Sequence, residues 1–162
     1  MQNKLKIYLA APLFTQSERI WNKLLAEHLT SIIPNASVIL PQVRALNYID
    51  GAKVDFAGIV HDCIENLEQV DIIVAVLDGS DADSGTCWEC GYSYAKRKTV
   101  IAVRTDVRGS EDEGLNAMLR RTVEQVIYYP ATNEDIAGLA QEISCALLKV
   151  QQRQSDPFAE TN

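Results

Sequence analysis

Short runs of apolar and β-branched residues alternate along the chain with longer stretches in which apolar residues recur at helical spacing. The short runs predict five buried strands, at 6–11, 37–40, 71–77, 99–104 and 126–129. The longer stretches predict five helices, near 16–33, 56–69, 86–96, 118–124 and 133–151. This alternation is typical of an α/β fold in which a five-stranded parallel sheet carries helices on both faces.

The length of the chain, 162 residues, is that of one domain. We expect this domain to span 1–151 and a polar, flexible tail to follow at 152–162. Because ligands of such sheets bind beyond the carboxyl ends of the strands, the loops at 11–16, 77–88 and 105–117 are expected to form one site.

Composition and charge argue against a nucleic-acid-binding, a membrane-spanning and a disulfide-rich protein. The chain is 47% hydrophobic and 23% charged, with a net charge of −7, and it has no basic run of the kind that binds a nucleic-acid backbone. No apolar stretch reaches the roughly 18 residues that a membrane span needs. Four cysteines are too few for a disulfide scaffold. We therefore expect a cytoplasmic protein with reduced thiols that binds neither polymeric nucleic acid nor membranes.

Familiar phosphate-binding and metal-binding motifs are absent. Neither G-x-G-x-x-G nor G-x-x-x-x-G-K-[ST] occurs, which disfavours a dinucleotide or a triphosphate but not a nucleoside. The acidic segment from Asp78 to Glu89 has the length of a calcium loop. However, Ser80 and Ala82 stand where that loop needs acidic ligands, and Asp83 stands where it needs glycine. We expect no metal ion and no organic cofactor.

Cys87 and Cys90 form a C-x-x-C pair at the start of a predicted helix. Such a pair can act as a redox dithiol, but the carboxylate of Glu89 lies between them and would raise the pKa of both thiols. Packed or partly buried thiols without redox function are the alternative.

Glu89 lies near the amino terminus of the same helix, where Asp83 and Ser84 are candidate N-cap residues. The helix dipole there favours an ionised carboxylate, and an ionised carboxylate in a cleft can attack an electrophilic carbon. A glutamate in this position can also act only as part of a capping box, so both functions stay open at this point.

Three segments, in order along the chain, resemble the nucleoside 2-deoxyribosyltransferase family. The first is IYLAAPLF at 7–14, similar to I-Y-L-A-G-P-L-F in the family. The second covers 71–95 and includes DSGTCWECGYSYA, and the third is GLNAM at 114–118, like the family's N-L-M segment. Together they span most of 6–118, and the second is the most specific.

The resemblance implies a flavodoxin-like (Rossmann-like) sheet and a pentosyltransferase of nucleoside salvage, which moves 2-deoxyribose from a 2′-deoxyribonucleoside to a free purine or pyrimidine base. Glu89 matches the family's nucleophile. It would attack C1′, expel the base and form a deoxyribosyl ester, which a second base would attack from the vacated face. Two inversions give net retention. Tyr8 matches the tyrosine that hydrogen-bonds and orients the nucleophile.

Four other positions match substrate contacts of the family. Phe14 lies where an aromatic ring stacks on the base, and Asp83 lies where a carboxylate accepts a hydrogen bond from the sugar 5′-hydroxyl. Asn116 and Met118 match residues that reach the site from a neighbouring subunit. The resemblance therefore implies a homo-oligomer, at least a dimer, with shared active sites.

One position departs from the family pattern. The acid that helps to protonate the departing base would stand at Cys63, and Asp62 is one residue away. One step along a helix turns a side chain by about 100°. Asp62 in a shifted register, another group such as Cys63, or water could supply the proton.

Two further functions remain alternatives to base exchange. A 2′-deoxynucleoside 5′-monophosphate N-glycosidase resembles this fold but has a serine at the position of Asp83, where a carboxylate would repel the phosphate. A non-catalytic nucleoside-binding domain is the other alternative, because a fold does not determine a function.

Overall fold

The computed structural model describes residues 4–108 and 114–155. Its strands are β1 (Leu5–Ala10), β2 (Ala36–Ile39), β3 (Ile49–Asp50), β4 (Lys53–Val54), β5 (Ile72–Val76), β6 (Thr99–Arg104) and β7 (Gln125–Tyr128). Its α-helices are α1 (Gln16–Ile32), α2 (Pro41–Arg44), α3 (Phe56–Gln69), α4 (Ser84–Ala95), α5 (Ala117–Thr122) and α6 (Ile136–Ser155). Short 3₁₀ helices lie at Ala45–Tyr48 and Ala131–Asn133.

The main sheet has five strands in the order β2-β1-β5-β6-β7, and every pair in it is parallel. The predicted α/β fold with a five-stranded parallel sheet is thus confirmed. The chain moves outward from β1 to β2 and then returns to β5 on the other side of β1. In such sheets a crevice opens where the strand order reverses, and here that place is the carboxyl ends of β1 and β5.

Successive residues of the strands face opposite helical layers, as the twofold period of a strand requires. Ile7 and Leu9 of β1 belong to the core that contains Leu25 of α1 and Ile143 of α6. Tyr8 points to the other core, which α3, α4 and α5 cover through Leu67, Cys90 and Leu119. Tyr8 and α4 are therefore on the same face of the sheet.

The segment between β2 and α3 differs from the prediction. It contains α2, a 3₁₀ helix and the antiparallel β3–β4 hairpin, whereas the sequence pattern predicted no element there. These elements have two to four residues each, which is too short for a hydrophobic period to show.

The last helix also begins later than predicted. Glu134 adopts a left-handed conformation with φ of 46°, and the Asp135 carboxylate then accepts a hydrogen bond from the Gly138 amide at the start of α6. At its other end α6 continues to Ser155, into the expected tail, whose remaining residues 156–162 lie outside the described part of the chain. The centre of the predicted loop at 105–117, residues 109–113, also lies outside it.

None of the helices within 4–108 and 114–155 combines the length and the apolar character that a membrane span requires.

Candidate active site

Tyr8 and Glu89 meet at the crevice between β1 and α4. Tyr8 is buried, with 1% of its surface exposed, and its hydroxyl donates a 2.6 Å hydrogen bond to Glu89 Oε1. A buried tyrosine hydroxyl needs a partner, and Glu89 supplies it. The structure thus brings together the two residues that the sequence analysis named as catalytic.

Glu89 is partly buried, and its pKa is raised to about 7. Loss of hydration on burial is the main cause, and the negative charge of Asp83 adds to it, while the hydrogen bond from Tyr8 lowers the pKa and offsets part of the rise. The helix dipole, which the sequence analysis expected to favour the ionised form, is not among the causes of this shift. Glu89 is the sixth residue of α4, and the effect of the dipole is confined to the first turn.

The start of α4 is capped by Asp83. Its Oδ2 accepts hydrogen bonds from the Thr86 amide at 2.8 Å and the Thr86 hydroxyl at 3.0 Å. The third helical position, where a capping-box glutamate would stand, is therefore Thr86 and not Glu89. Glu89 takes no part in the cap and contacts Tyr8 instead. Asp83 is half-buried, and its charge lies close enough to Glu89 to raise the pKa of Glu89.

Cys63 joins this cluster from α3. Burial raises the pKa of its thiol, and the nearby Tyr8 hydroxyl offsets only part of that rise. At neutral pH the side chain is therefore an uncharged thiol. Of the two residues considered for the proton of the departing base, Cys63 is the one that interacts with Tyr8.

Asp62 is engaged in a different contact. Arg44 binds both of its oxygens, with Nε at 2.6 Å from Oδ2 and Nη2 close to Oδ1. Tyr48 and Asn66 also donate hydrogen bonds to the carboxylate. The hydrogen bonds of the Arg44 guanidinium hold the pKa of Asp62 below its usual range. These surroundings favour a structural ion pair over a proton donor.

Phe14 lies in the loop after β1, and 76% of its surface is exposed. The backbone of this loop is held, because Glu18 accepts hydrogen bonds from the amides of Phe14 at 2.8 Å and Thr15 at 2.7 Å in a capping box for α1. A fixed backbone with an uncovered ring is suited to stacking on a planar ligand.

Asn116 and Met118 lie at the start of α5, which shares a core with α4. Asn116 is the N-cap of α5 and accepts a 3.0 Å hydrogen bond from the amide of Met118, whose side chain is 73% exposed. Both residues line a cavity of about 550 Å³ together with Cys87 and Arg104. Glu89 is not among the residues that line this cavity.

The surroundings of the C-x-x-C pair disfavour a redox dithiol. Both cysteines are free thiols. Burial raises the pKa of Cys87, and it raises that of Cys90 to about 12. Redox-active thiols need the opposite shift, so packed thiols describe this pair better.

Sequence analysis did not single out Arg104 and Arg44, two arginines that organise this edge of the sheet. Arg104 is buried at the end of β6, and Arg44 pairs with Asp62. Arg104 could have been noticed in the sequence, because it is the one charged residue of strand β6 and stands at its end. Nothing local marked Arg44, because its partner is 18 positions away.

Comparison with known proteins places this geometry in a family. The family model for nucleoside 2-deoxyribosyltransferase matches residues 7–119. The chain belongs to the nucleoside 2-deoxyribosyltransferase family. Members of this family are enzymes that act on nucleosides. A comparison with curated proteins found no match.

Solved structures of the family fold cover nearly the whole chain. A conserved protein from Enterococcus faecalis V583 is 27% identical, with a TM-score of 0.72, over 88% of this chain and 98% of that one. A 2-deoxyribosyltransferase from Bacillus psychrosaccharolyticus is 20% identical, with a TM-score of 0.62, over 83% and 90%. A CMP N-glycosidase from Clostridium botulinum is 17% identical, with a TM-score of 0.59, over 87% and 98%. The last two likenesses establish the shared fold alone.

Proposed function

We propose that this member of the nucleoside 2-deoxyribosyltransferase family exchanges the base of a 2′-deoxyribonucleoside for a free base, through a covalent deoxyribosyl intermediate on Glu89. The observation that carries the proposal is the 2.6 Å hydrogen bond from Tyr8 to Glu89 Oε1. It holds a partly buried carboxylate at the reversal of strand order, where a ligand of this fold is expected.

In the first step a Glu89 oxygen attacks C1′ and the bond from C1′ to the base nitrogen breaks. The base leaves with the electron pair and takes up a proton. In the second step a nitrogen of the incoming base attacks C1′ and loses its proton, the ester bond breaks, and the carboxylate is restored. Each step inverts C1′, so the exchange proceeds with retention. Tyr8 binds Oε1, which leaves Oε2 for the attack.

The environment of Glu89 suits a nucleophile. A pKa of about 7 means that a large fraction of the carboxylate is ionised at neutral pH. Its hydration is already reduced by burial, so little bound water has to be removed before it attacks. Formation of the ester also removes a negative charge from a site where burial makes that charge costly. A sugar without a 2′-hydroxyl lacks an electron-withdrawing oxygen next to C1′, which eases the oxocarbenium-like transition state.

The positions of three other side chains support the remaining substrate contacts of the proposal. Asp83 uses Oδ2 for the helix cap, and we assign Oδ1 to the sugar 5′-hydroxyl. Phe14, with its exposed ring, stacks on the base. Cys63 or water, rather than the ion-paired Asp62, delivers the proton to the departing base.

Asn116 and Met118 complete the site of a second subunit, so the active form is a homo-oligomer. This assignment is supported by the exposure of both residues at the start of α5. Free nucleobases and 2′-deoxyribonucleosides are the partners of the reaction, and the charge of Asp83 disfavours a 5′-phosphate in the same place.

The test is base exchange measured by chromatography, with one deoxynucleoside and a second free base. Glu89→Gln is expected to lower the exchange rate at least about 1,000-fold, because an amide oxygen is a poor nucleophile, while the variant still binds the nucleoside. Glu65→Gln, at an exposed position of α3, is the matched control and should exchange bases like the wild type. Release of free sugar from 5′-monophosphates alone would indicate an N-glycosidase, and binding without turnover would indicate a nucleoside-binding domain.

A further inference from the structure

Two loops at the carboxyl edge of the sheet are joined by hydrogen bonds. One loop, 77–83, follows β5 and ends at the N-cap of α4, and the other, 105–108, follows β6. Hydrogen bonds join them through the side chains of Arg104, Asp78 and Asp106. We call these three residues and their hydrogen bonds the loop brace.

Arg104 donates from β6 to the backbone of both loops. Only 3% of its surface is exposed. Its Nη1 donates to the carbonyl oxygens of Leu77 at 2.7 Å and Gly79 at 3.1 Å, and its Nη2 donates to that of Arg108 at 2.7 Å. A shorter or apolar side chain would leave the carbonyl of Leu77, which is buried, without its donor and would release the partly exposed Gly79, so the backbone would have to move to satisfy them.

The two carboxylates make contacts in both directions between the loops. Asp78 accepts hydrogen bonds from the amides of Thr105 at 2.6 Å and Asp106 at 3.0 Å, and from the Thr105 hydroxyl at 2.6 Å. Asp106 in turn accepts from the Gly79 amide at 2.8 Å. Gly79 has a φ of +105°, and a Cβ on it would lie 2.8 Å from the carbonyl oxygen of Asp81, so the chain turns here in a conformation that glycine allows.

The position of α4 depends on this turn. Both the amide and the carbonyl of Gly79 are held, and only three residues separate Gly79 from Asp83, the N-cap of α4. A shift of the turn therefore moves the start of the helix that carries Glu89. A displacement of about 1 Å in a reacting group can cost about 100-fold in rate.

We propose that Arg104 is a positioning residue for the reaction: by holding the carbonyls of Leu77 and Gly79 it sets the position of α4 and so the contact between Glu89 and Tyr8. The effect on rate rests on the function proposed for Glu89. Arg104 acts through the backbone of the loop and not by contact with the reacting atoms.

The test compares Arg104→Met, Arg104→Lys and the control Arg153→Met with the wild type. Arg153 is a solvent-exposed arginine on α6 that pairs with Glu124. We expect Arg104→Met to lower kcat about 10- to 100-fold with KM changed less than about threefold, Arg104→Lys to recover part of the loss, and Arg153→Met to match the wild type. Titration of the Glu89 carboxyl by carbon NMR, without substrate, should show its pKa moved by at least about half a unit in Arg104→Met.

A folded Arg104→Met with the kcat and the Glu89 titration of the wild type would overturn the proposal. If both Arg104 variants fail to fold, Gly79→Ala decides, since a Cβ there would lie 2.8 Å from the carbonyl oxygen of Asp81 and would displace the turn that Arg104 holds. A lower kcat with a shifted Glu89 titration then supports the brace, and wild-type values for both overturn it. If the wild type exchanges no bases, the proposed function fails, but the titration of Glu89 still tests the positioning by Arg104.

Discussion

The Tyr8 hydroxyl donates a 2.6 Å hydrogen bond to Glu89 Oε1, although the two residues are 81 positions apart in the chain. Tyr8 lies in the inner strand β1, where the strand order reverses, and Glu89 lies on the helix that packs against that face. A hydrogen bond to an ionised acceptor is stronger than one between neutral groups. The contact therefore both orients the carboxylate and opposes the effect of burial on its pKa.

The pH dependence of catalysis should report the ionisation of Glu89. Because the carboxylate attacks only when it is ionised, kcat/KM for base exchange is expected to rise with pH and to level off above a pKa of about 7. In Tyr8→Phe the hydrogen bond that lowers this pKa is lost, so the rise should move to higher pH. Initial rates across the neutral range measure both effects.

Tyr129→Phe is the control for this profile, because Tyr129 packs on the opposite face of the sheet. In Tyr129→Phe, kcat/KM should rise over the same pH range as in the wild type. A profile of Tyr8→Phe that stays in place or moves to lower pH would show that Tyr8 does not interact with the ionised Glu89.

Glu89 should reduce the stability of the folded protein at high pH. Its folded pKa of about 7 is above the ordinary value of 4.5 for a glutamate carboxyl, so the folded state holds its proton more tightly than the unfolded state. Stability is then highest below the unfolded pKa and falls as pH rises through about 7. Glu89→Gln should be more stable than the wild type by roughly 2 to 3 kcal/mol at alkaline pH, and the difference should vanish in acid.

Denaturant unfolding of the two proteins at several pH values measures this difference. Glu65→Gln, at an exposed position, should show no such change with pH. A difference between Glu89→Gln and wild type that is the same at all pH values would mean that burial does not penalise the charge of Glu89.

The Arg44–Asp62 pair is expected to stabilise the segment between β2 and α3. The Asp62 side chain is only 7% exposed, so Arg44→Ala leaves a buried carboxylate with one partner fewer and should cost about 2 to 3 kcal/mol at neutral pH. Because the folded pKa of Asp62 is lowered, the loss should shrink as pH falls and the carboxylate takes up a proton.

Denaturant unfolding also measures this effect, and the variant that combines Arg44→Ala with Asp62→Asn is its companion. Removing the unpaired charge should restore part of the stability. If the double variant is as unstable as Arg44→Ala, the cost does not come from the uncompensated charge of Asp62.

Asp83→Ser should change the choice between nucleosides and 5′-monophosphates. Serine is also a good N-cap, so the start of α4 should be kept while the negative charge is removed. We expect kcat/KM for the deoxynucleoside to fall and the ratio of monophosphate to nucleoside turnover to rise by about 10-fold or more. Competition between the two substrates measures the ratio, and an unchanged ratio would exclude Asp83 from sugar recognition.

The main sheet could be predicted from the sequence because its signal is local. A strand such as β5, buried on both faces, is a continuous apolar run, and a helix such as α3 repeats its apolar positions every three or four residues. The segment between β2 and α3 has no such signal. It is held by single side-chain contacts, chiefly that of Arg44 with Asp62, and those contacts exist only after folding.

The candidate site was predictable only in part for the same reason. Glu89 and Tyr8 were found through the resemblance of their motifs to the family, since no periodicity links residues so far apart. The pKa of Glu89 was not predictable, because it depends on how deeply tertiary packing buries the carboxylate. Arg104 was missed because its partners are backbone carbonyls of another loop, which no side-chain pattern can reveal.

Mass spectrometry of the trapped intermediate tests the role of Glu89 most directly. A 2′-fluoro-2′-deoxynucleoside should let the ester accumulate, because the electron-withdrawing fluorine slows both steps that pass through a positively charged sugar. After digestion, the added mass of the fluorinated pentose is expected on Glu89 of the wild type and should be missing from Glu89→Gln. A pentose on another side chain, or no adduct while the enzyme turns over, would contradict covalent catalysis by Glu89.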